Sequence, residues 1–105
     1  MKGQEKIVLE MISHHTKEDP VHGSKLARTA GLKSDQLVRG IVNEARQANK
    51  PIGSSKDGYF MAKNASELTE TIADLQGRVN QMNRAINGLK GAFGSFDIND
   101  IIDSI

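Results

Sequence analysis

Residues 23–49, GSKLARTAGLKSDQLVRGIVNEARQAN, carry the signals that decide the fold. Ser24 suits the N-cap of a first short helix, and Gly31 suits the left-handed residue that ends it. Ser34 suits the N-cap of a second helix, and Asp35 would lie at the positive end of that helix's dipole. The stretch therefore predicts two helices joined by a tight turn.

The second of these helices should turn an apolar stripe toward a core. The stripe repeats with helical spacing and consists of Leu37, Val38, Ile41, Val42 and Ala45. The helix should run to about Asn49 and end before Pro51. An earlier helix, from about Gln4 to His14, is predicted by apolar residues that recur on one side. We expect the core to include Ile7, Met11, Leu26, Val38 and Val42.

The segment from Pro51 to Ala62 has the character of a β-hairpin. Asp57-Gly58 is a strong turn signal, and β-prone residues follow it. The order of elements is thus helix, short helix, tight turn, longer helix and hairpin. This order is the layout of a winged helix-turn-helix, in which the hairpin is the wing.

The part of the chain from about Val21 to Ala62 resembles the N-terminal winged-helix domain of biotin operon repressor-type regulators. The matching pieces are Gly23-Ser24-Lys25-Leu26-Ala27, the turn Gly31-Leu32-Lys33-Ser34, the apolar Val38, Ile41 and Val42, and Pro51-Ile52 followed by a polar loop and Gly58-Tyr59. The chain departs from the family in two ways. Its 105 residues contain no ligase domain. Gly40 also interrupts the expected recognition helix, where a glycine costs up to about 1 kcal/mol.

The resemblance implies that the longer helix reads bases in a major groove of double-stranded DNA, while the wing contacts the DNA beside it. Gln36 and Asn43 would pair with adenine and Arg39 with guanine, on an exposed face that includes Gly40. Asp35 would repel phosphate unless it accepts a bond from cytosine or serves only to stabilise the helix. Phosphate contacts would come from helix starts, the turn and the wing tip. The DNA-binding candidates are Ser24, Lys25, Lys33, Ser34, Gln36, Arg39, Asn43 and Lys56.

Charge and composition narrow the functional classes. Residues 1–63 carry eleven Lys/Arg against seven Asp/Glu, whereas residues 94–105 carry three Asp and no base. With no cysteine and no long apolar run, the sequence predicts a cytoplasmic protein. We expect no enzymatic activity and no cofactor, since no nucleophile–base pair or phosphate-binding glycine loop is evident. We also expect no metal site, because adjacent histidines such as His14 and His15 cannot share one helix face.

From residue 64 the sequence predicts a long helix. Asn64 suits its N-cap, Glu67 completes a capping box, and the helix should run to about Phe93, before Gly94. Eight apolar residues, here called the seam, recur at alternating spacings of four and three: Leu68, Ile72, Leu75, Val79, Met82, Ile86, Leu89 and Phe93. Mostly β-branched residues at a and mostly leucines at d favour a parallel two-stranded coiled coil.

This long helix is a weak one without a partner. Gly77, Gly88 and Gly91 lie outside the seam and together destabilise the helix by about 2–3 kcal/mol. Polar positions that flank the seam, including Thr71, carry little charge and do not fix the orientation of a second helix. We expect a homodimer through residues 65–93. The alternative is a seam that packs onto its own winged domain.

The expected organisation is a mainly α protein in three parts. A winged helix-turn-helix domain of three helices plus a hairpin (1–63) precedes a long coiled-coil dimerisation helix (64–93) and an acidic, hydrophobic tail (94–105). The tail could be a frayed end, a docking peptide for a protein partner, or a segment that lies back on the basic domain. We expect a sequence-specific DNA-binding protein, a small dimeric transcriptional regulator. The alternative is an interaction protein, either a replication-initiation adaptor or an antitoxin-like binder.

Overall fold

A computed structural model describes residues 2–95 of the chain, and the predicted tail beyond residue 95 lies outside them. Within this range the protein is mainly helical, with four α-helices and one antiparallel hairpin, an arrangement compatible with a helix-turn-helix plus a wing. The elements in chain order are α1 (Lys2–Ser13), α2 (Gly23–Ala30), α3 (Asp35–Gln47), β1 (Ile52–Ser55), β2 (Gly58–Met61) and α4 (Thr69–Ala92). Short 3-10 helices, Ala65–Leu68 and Phe93–Ser95, flank α4.

The chain divides into two compact units between Thr71 and Ile72. The first unit holds α1 to α3, the hairpin and the first turn of α4, and the second holds the rest of α4. The predicted winged domain ends at residue 63, whereas the first unit continues to Thr71. Among residues 2–95, no helix is both long enough and apolar enough to cross a membrane.

The core of the first unit is aliphatic, with one aromatic ring. Its buried apolar side chains are Val8, Ile12, Val21, Leu26, Ala27, Ala30, Val38, Val42, Ala45, Ile52 and Phe60. The expectation that Ile7 belongs to this core is wrong, because its side chain is 44% exposed. Successive residues of a helix point about 100° apart, and α1 turns Val8 and Ile12 inward instead. Met11 is only partly buried at the edge of the core.

The turn between α2 and α3 follows the sequence prediction at its glycine. Gly31 has a φ of 72°, the left-handed conformation expected of a helix-ending residue. The next N–H, that of Leu32, donates to the Ala27 carbonyl at 2.8 Å and closes the end of α2. The tight turn therefore rests on a position where an L side chain would be strained.

Two N-cap predictions have different outcomes. Ser24 is not the N-cap of α2, because the helix begins at Gly23, two residues earlier than a Ser24 cap would give, and His22 is the N-cap. The His22 carbonyl accepts from Lys25 N–H and Leu26 N–H, both at 3.1 Å. Ser34 does occupy the N-cap of α3, in extended conformation, although its side chain makes no capping bond within the described part of the chain.

The hairpin packs against the segment that precedes α2. The Val21 N–H donates to the Tyr59 carbonyl, and the Tyr59 N–H donates to the Val21 carbonyl, both at 2.8 Å. This pair of bonds forms an isolated antiparallel β-bridge between Val21 and strand β2. The turn residues are Lys56 and Asp57, one position earlier than the predicted turn, and Gly58 begins β2 with a φ of 136°. A Cβ atom on Gly58 would collide with the Val21 carbonyl. The close approach of these two backbones therefore requires a glycine there.

One of the two bonds of the predicted capping box before α4 is present, and the other is shifted by one residue. Asn64 Oδ1 accepts from Glu67 N–H at 3.1 Å. Glu67 Oε1 in turn accepts from the N–H of Lys63 at 2.7 Å, one residue before the cap. The first turn after Asn64 is 3-10, and α-helical geometry begins at Thr69.

Candidate nucleic-acid interface

Helix α3 is buried on one side and exposed on the other. Val38, Val42 and Ala45 face the core. Gln36, Arg39, Gly40 and Asn43, the predicted reading face, are all exposed. At about 100° per residue, Gln36, Gly40 and Asn43 lie nearly opposite the buried side. The centre of the exposed face is therefore uncharged, with two amide side chains around a glycine.

Arg39 lies toward one edge of this face. It is seven residues from Arg46, so both project from nearly the same side of the helix. Arg46 Nε donates to the Ile52 carbonyl at 2.9 Å, and its terminal nitrogen donates to Ser54 Oγ at 3.2 Å. That side of α3 therefore faces strand β1, and Arg39 belongs to the hairpin side of the exposed face.

The opposite edge of α3 borders a groove of about 290 Å³. Its lining combines apolar side chains with two carboxylates, and consists of Gln4, Glu5, Leu32, Leu37, Gly40, Ile41 and Glu44. Leu37, predicted as part of the inward stripe, is 40% exposed here. The two edges of α3 thus differ, since one adjoins basic and hydroxyl groups and the other adjoins carboxylates.

The candidates at the helix starts are all exposed. Ser24 and Lys25 lie in the first turn of α2, and Lys33 and Ser34 lead into α3. Asp35 is adjacent to the start of α2, since a Cβ atom on Gly23 would lie 3.9 Å from Asp35 Cγ. Its carboxylate is therefore close to the N-terminal ends of α2 and α3, where a negative charge interacts favourably with the helix dipole.

The hairpin turn carries the remaining candidate, Lys56. Lys56 and Asp57 are both exposed, and Asp57 N–H donates to Ser55 Oγ at 3.2 Å. The turn therefore presents one positive and one negative side chain.

Three exposed polar residues near these candidates were missed by the sequence interpretation. Gln47 follows Asn43 by four residues and continues the exposed face of α3. Arg28 on α2 and Lys50 after α3 are exposed cations of the same unit. The helical period alone could have identified Gln47.

Thr71 has a different environment from the one predicted for a polar residue beside the seam. Only 4% of it is exposed, which makes it the one buried polar residue in the described range. Its Oγ1 accepts from Ser54 N–H at 3.0 Å and donates to the Ser54 carbonyl at 3.2 Å. Because Ser54 Oγ also accepts from Arg46, hydrogen bonds connect α3, β1 and the first turn of α4. This explains why the first compact unit reaches Thr71.

The seam is exposed along the second unit. Its members from residue 72 onward have large exposed fractions: Ile72, Leu75, Val79, Met82, Ile86, Leu89 and Phe93. The largest fractions are 70% at Leu89 and 68% at Phe93. Leu68, in the first unit, is half-buried. Seven apolar side chains, six on α4 and that of Phe93 directly after it, thus remain in contact with solvent in a single chain.

Comparisons of the chain with protein-family models, with curated proteins and with solved structures found no match.

Proposed function

We propose that this chain is a sequence-specific double-stranded-DNA-binding protein that acts as a small dimeric transcriptional regulator. In this proposal α2 and α3 form a helix-turn-helix and the β1–β2 hairpin forms its wing. The observation that supports it best is the geometry of α3. One side of α3 is fixed by the core, and its other side presents Gln36, Arg39 and Asn43 to solvent.

The exposed side chains suit two kinds of DNA contact. Gln36, Arg39 and Asn43 have the hydrogen-bonding groups that read base edges in a major groove. Ser24, Lys25, Lys33, Ser34 and Lys56 would contact phosphates, which position a protein on DNA without reading its sequence. Arg46 has no part in this proposal, since its guanidinium bonds to β1.

The dimer is proposed to form through the seam. Its repeat of four and three residues matches a two-stranded coiled coil, and its side chains from residue 72 onward are exposed in one chain. A second copy would bury them and stabilise a helix weakened by three glycines. A parallel pair would present two α3 helices to two half-sites, and each bound domain would raise the effective concentration of the other.

The test is selection from random duplex DNA at two salt concentrations, followed by sequencing. We expect enrichment of a motif with two related half-sites, because a symmetric dimer reads symmetric DNA. The affinity should fall as salt rises, because phosphate contacts release counterions. Absence of any enriched motif at either salt concentration contradicts the proposal.

Single substitutions distinguish reading from positioning. Arg39→Ala should relax the preference at one base position and weaken binding by about 1–3 kcal/mol. Lys56→Ala should weaken binding to all sequences alike and reduce the salt dependence. Lys90→Ala removes one charge from α4 and is the matched control. If Arg39→Ala and Lys56→Ala both bind like the control, α3 and the wing do not contact DNA.

A second candidate function is an interaction protein, such as a replication-initiation adaptor or an antitoxin-like binder. The observation that favours it is the groove beside α3, whose lining includes the apolar Leu32, Leu37 and Ile41 together with Glu5 and Glu44. This groove suits an apolar segment with basic flanks. The DNA selection separates the two functions, because an adaptor would enrich no motif.

A further inference from the structure

The central line of α3's exposed face has an unusual composition for a helix surface. Gln36, Gly40, Asn43 and Gln47 follow one another along it, and Gly40 alone lacks a side chain. A Cβ atom on Gly40 would meet no atom within 4 Å in the described part of the protein. Nothing in the packing of these residues therefore requires a glycine, although alanine would favour the helix.

The spacing of the two amides that flank Gly40 suits a short stretch of duplex. Gln36 and Asn43 are seven residues apart, which is about 10.5 Å along a helix axis. This length corresponds to about three base-pair steps of DNA. Two amide side chains can therefore face two base pairs, while the glycine between them places no side chain between the helix backbone and the DNA.

The chemistry of the face favours adenine. Gln and Asn bond to adenine through its N6 donor and N7 acceptor, whereas Arg suits guanine. The one arginine of the reading face, Arg39, lies toward the hairpin edge, on the same side as Arg46. The central line thus offers amide groups but no positive charge.

We propose that this line reads A·T base pairs in the major groove, and that Gly40 permits the close approach on which this reading depends. The inference rests on the proposed DNA-binding function and names its target class. A side chain at position 40 would separate the helix from the groove floor and lengthen the bonds of both amides.

The experiment uses the full chain and the duplex most enriched in the random selection. The enriched motif should contain two A·T pairs about three steps apart. A matching duplex carries an adenine analogue in which carbon replaces N7, so that pairing is kept but the acceptor is lost. Gly40→Ala is compared with Gly77→Ala, a matched control in α4 whose added Cβ also meets no described atom within 4 Å.

We expect Gly40→Ala to weaken binding of the enriched duplex at least tenfold and Gly77→Ala to leave it unchanged. The N7-lacking duplex should bind wild type at least tenfold more weakly and Gly40→Ala with little further loss. Both variants should melt at or above the wild-type temperature, so unfolding cannot mimic the effect.

Three results would overturn the inference. These are wild-type affinity of Gly40→Ala for the enriched duplex, equal binding of the N7-lacking duplex, or a motif composed of G·C pairs. Each leaves DNA binding itself intact. Absence of any enriched motif removes the proposed function together with the inference, and so is distinguishable from the other three.

Discussion

Helices α3 and α4 both carry regularly spaced apolar residues, but only α3 buries them within its own chain. Val38, Val42 and Ala45 are covered by the core of the first unit. On α4 the single buried residue in the described range is Thr71, a polar one, while the seam residues beyond it are exposed. Regularly spaced apolar residues are therefore buried on α3, where the core of the first unit covers them, and exposed on most of α4.

The difference shows where the stability of each helix originates. The stability of α3 comes from tertiary packing, which tolerates Gly40 on the solvent side. Most of α4 has no such packing, and its three exposed glycines reduce its intrinsic helical stability. In the proposed dimer a second chain would cover its seam, whereas its first turn is held by hydrogen bonds to β1.

The largest effect should come from a charge placed in the core beneath α3. Val38→Asp buries an unpaired carboxylate and should destabilise the first unit by about 4 kcal/mol or more, a large share of a small domain's stability. Circular dichroism should show loss of helix at room temperature. Asn43→Asp adds the same charge on the exposed side and should fold normally. Equal stability of the two variants would mean that α3 is not oriented as described.

The second effect tests the seam. Val79→Asp combined with Ile86→Asp should convert a dimer into a monomer, because each chain would bring two buried charges into the interface. Light scattering measures the mass, and the first unit should melt as in the wild type. Asn80→Asp combined with Asn87→Asp adds the same charge outside the seam and should leave the dimer intact. A monomeric wild type at tens of micromolar would contradict a seam between chains.

A smaller effect should mark the boundary between the two units. Thr71→Val keeps the shape of the side chain but leaves the Ser54 N–H without its partner, at a cost of about 1–3 kcal/mol. Thermal denaturation of the first unit should show the loss. Thr69→Val, an exposed neighbour in the same turn, is the control and should have little effect. If both variants melt alike, the first turn of α4 does not stabilise that unit.

The smallest loss of stability should come from removing the N-cap of the short 3-10 helix that precedes α4. Asn64→Ala removes the side chain that accepts from Glu67 N–H and should destabilise this turn by about 1 kcal/mol. Asn87→Ala, at an exposed interior position of α4, should be neutral or slightly stabilising because alanine favours helix. Helix content and chemical denaturation measure both variants, and a greater loss for Asn87→Ala would refute the capping assignment.

Local chemistry made several elements predictable. The left-handed Gly31 and the Asn64 cap depend on neighbours within a few residues, so the sequence reveals them directly. The same reasoning failed at Ser24, because α2 begins at Gly23 with His22 as its N-cap, two residues earlier than a Ser24 cap would give. Ile7 was misplaced because periodicity defines an apolar side but not its centre.

The residues of the candidate site also divide into those that the sequence placed correctly and those whose position only the tertiary structure shows. Helical period was enough to place Gln36 and Asn43 on one exposed face, because that relation lies within one helix. The edge on which Arg39 lies, by contrast, depends on where the hairpin packs, and so does the role of Arg46 as a link to β1.

The sequence by itself determined the order of the helices and hairpin, the left-handed turn at Gly31 and the repeat of the seam, because each depends on short-range spacing. Only the tertiary structure decided that Thr71 is buried against Ser54, that Gly58 must lie against Val21, and that Ile7 is exposed. These outcomes depend on contacts between residues far apart in the chain, which no local pattern encodes.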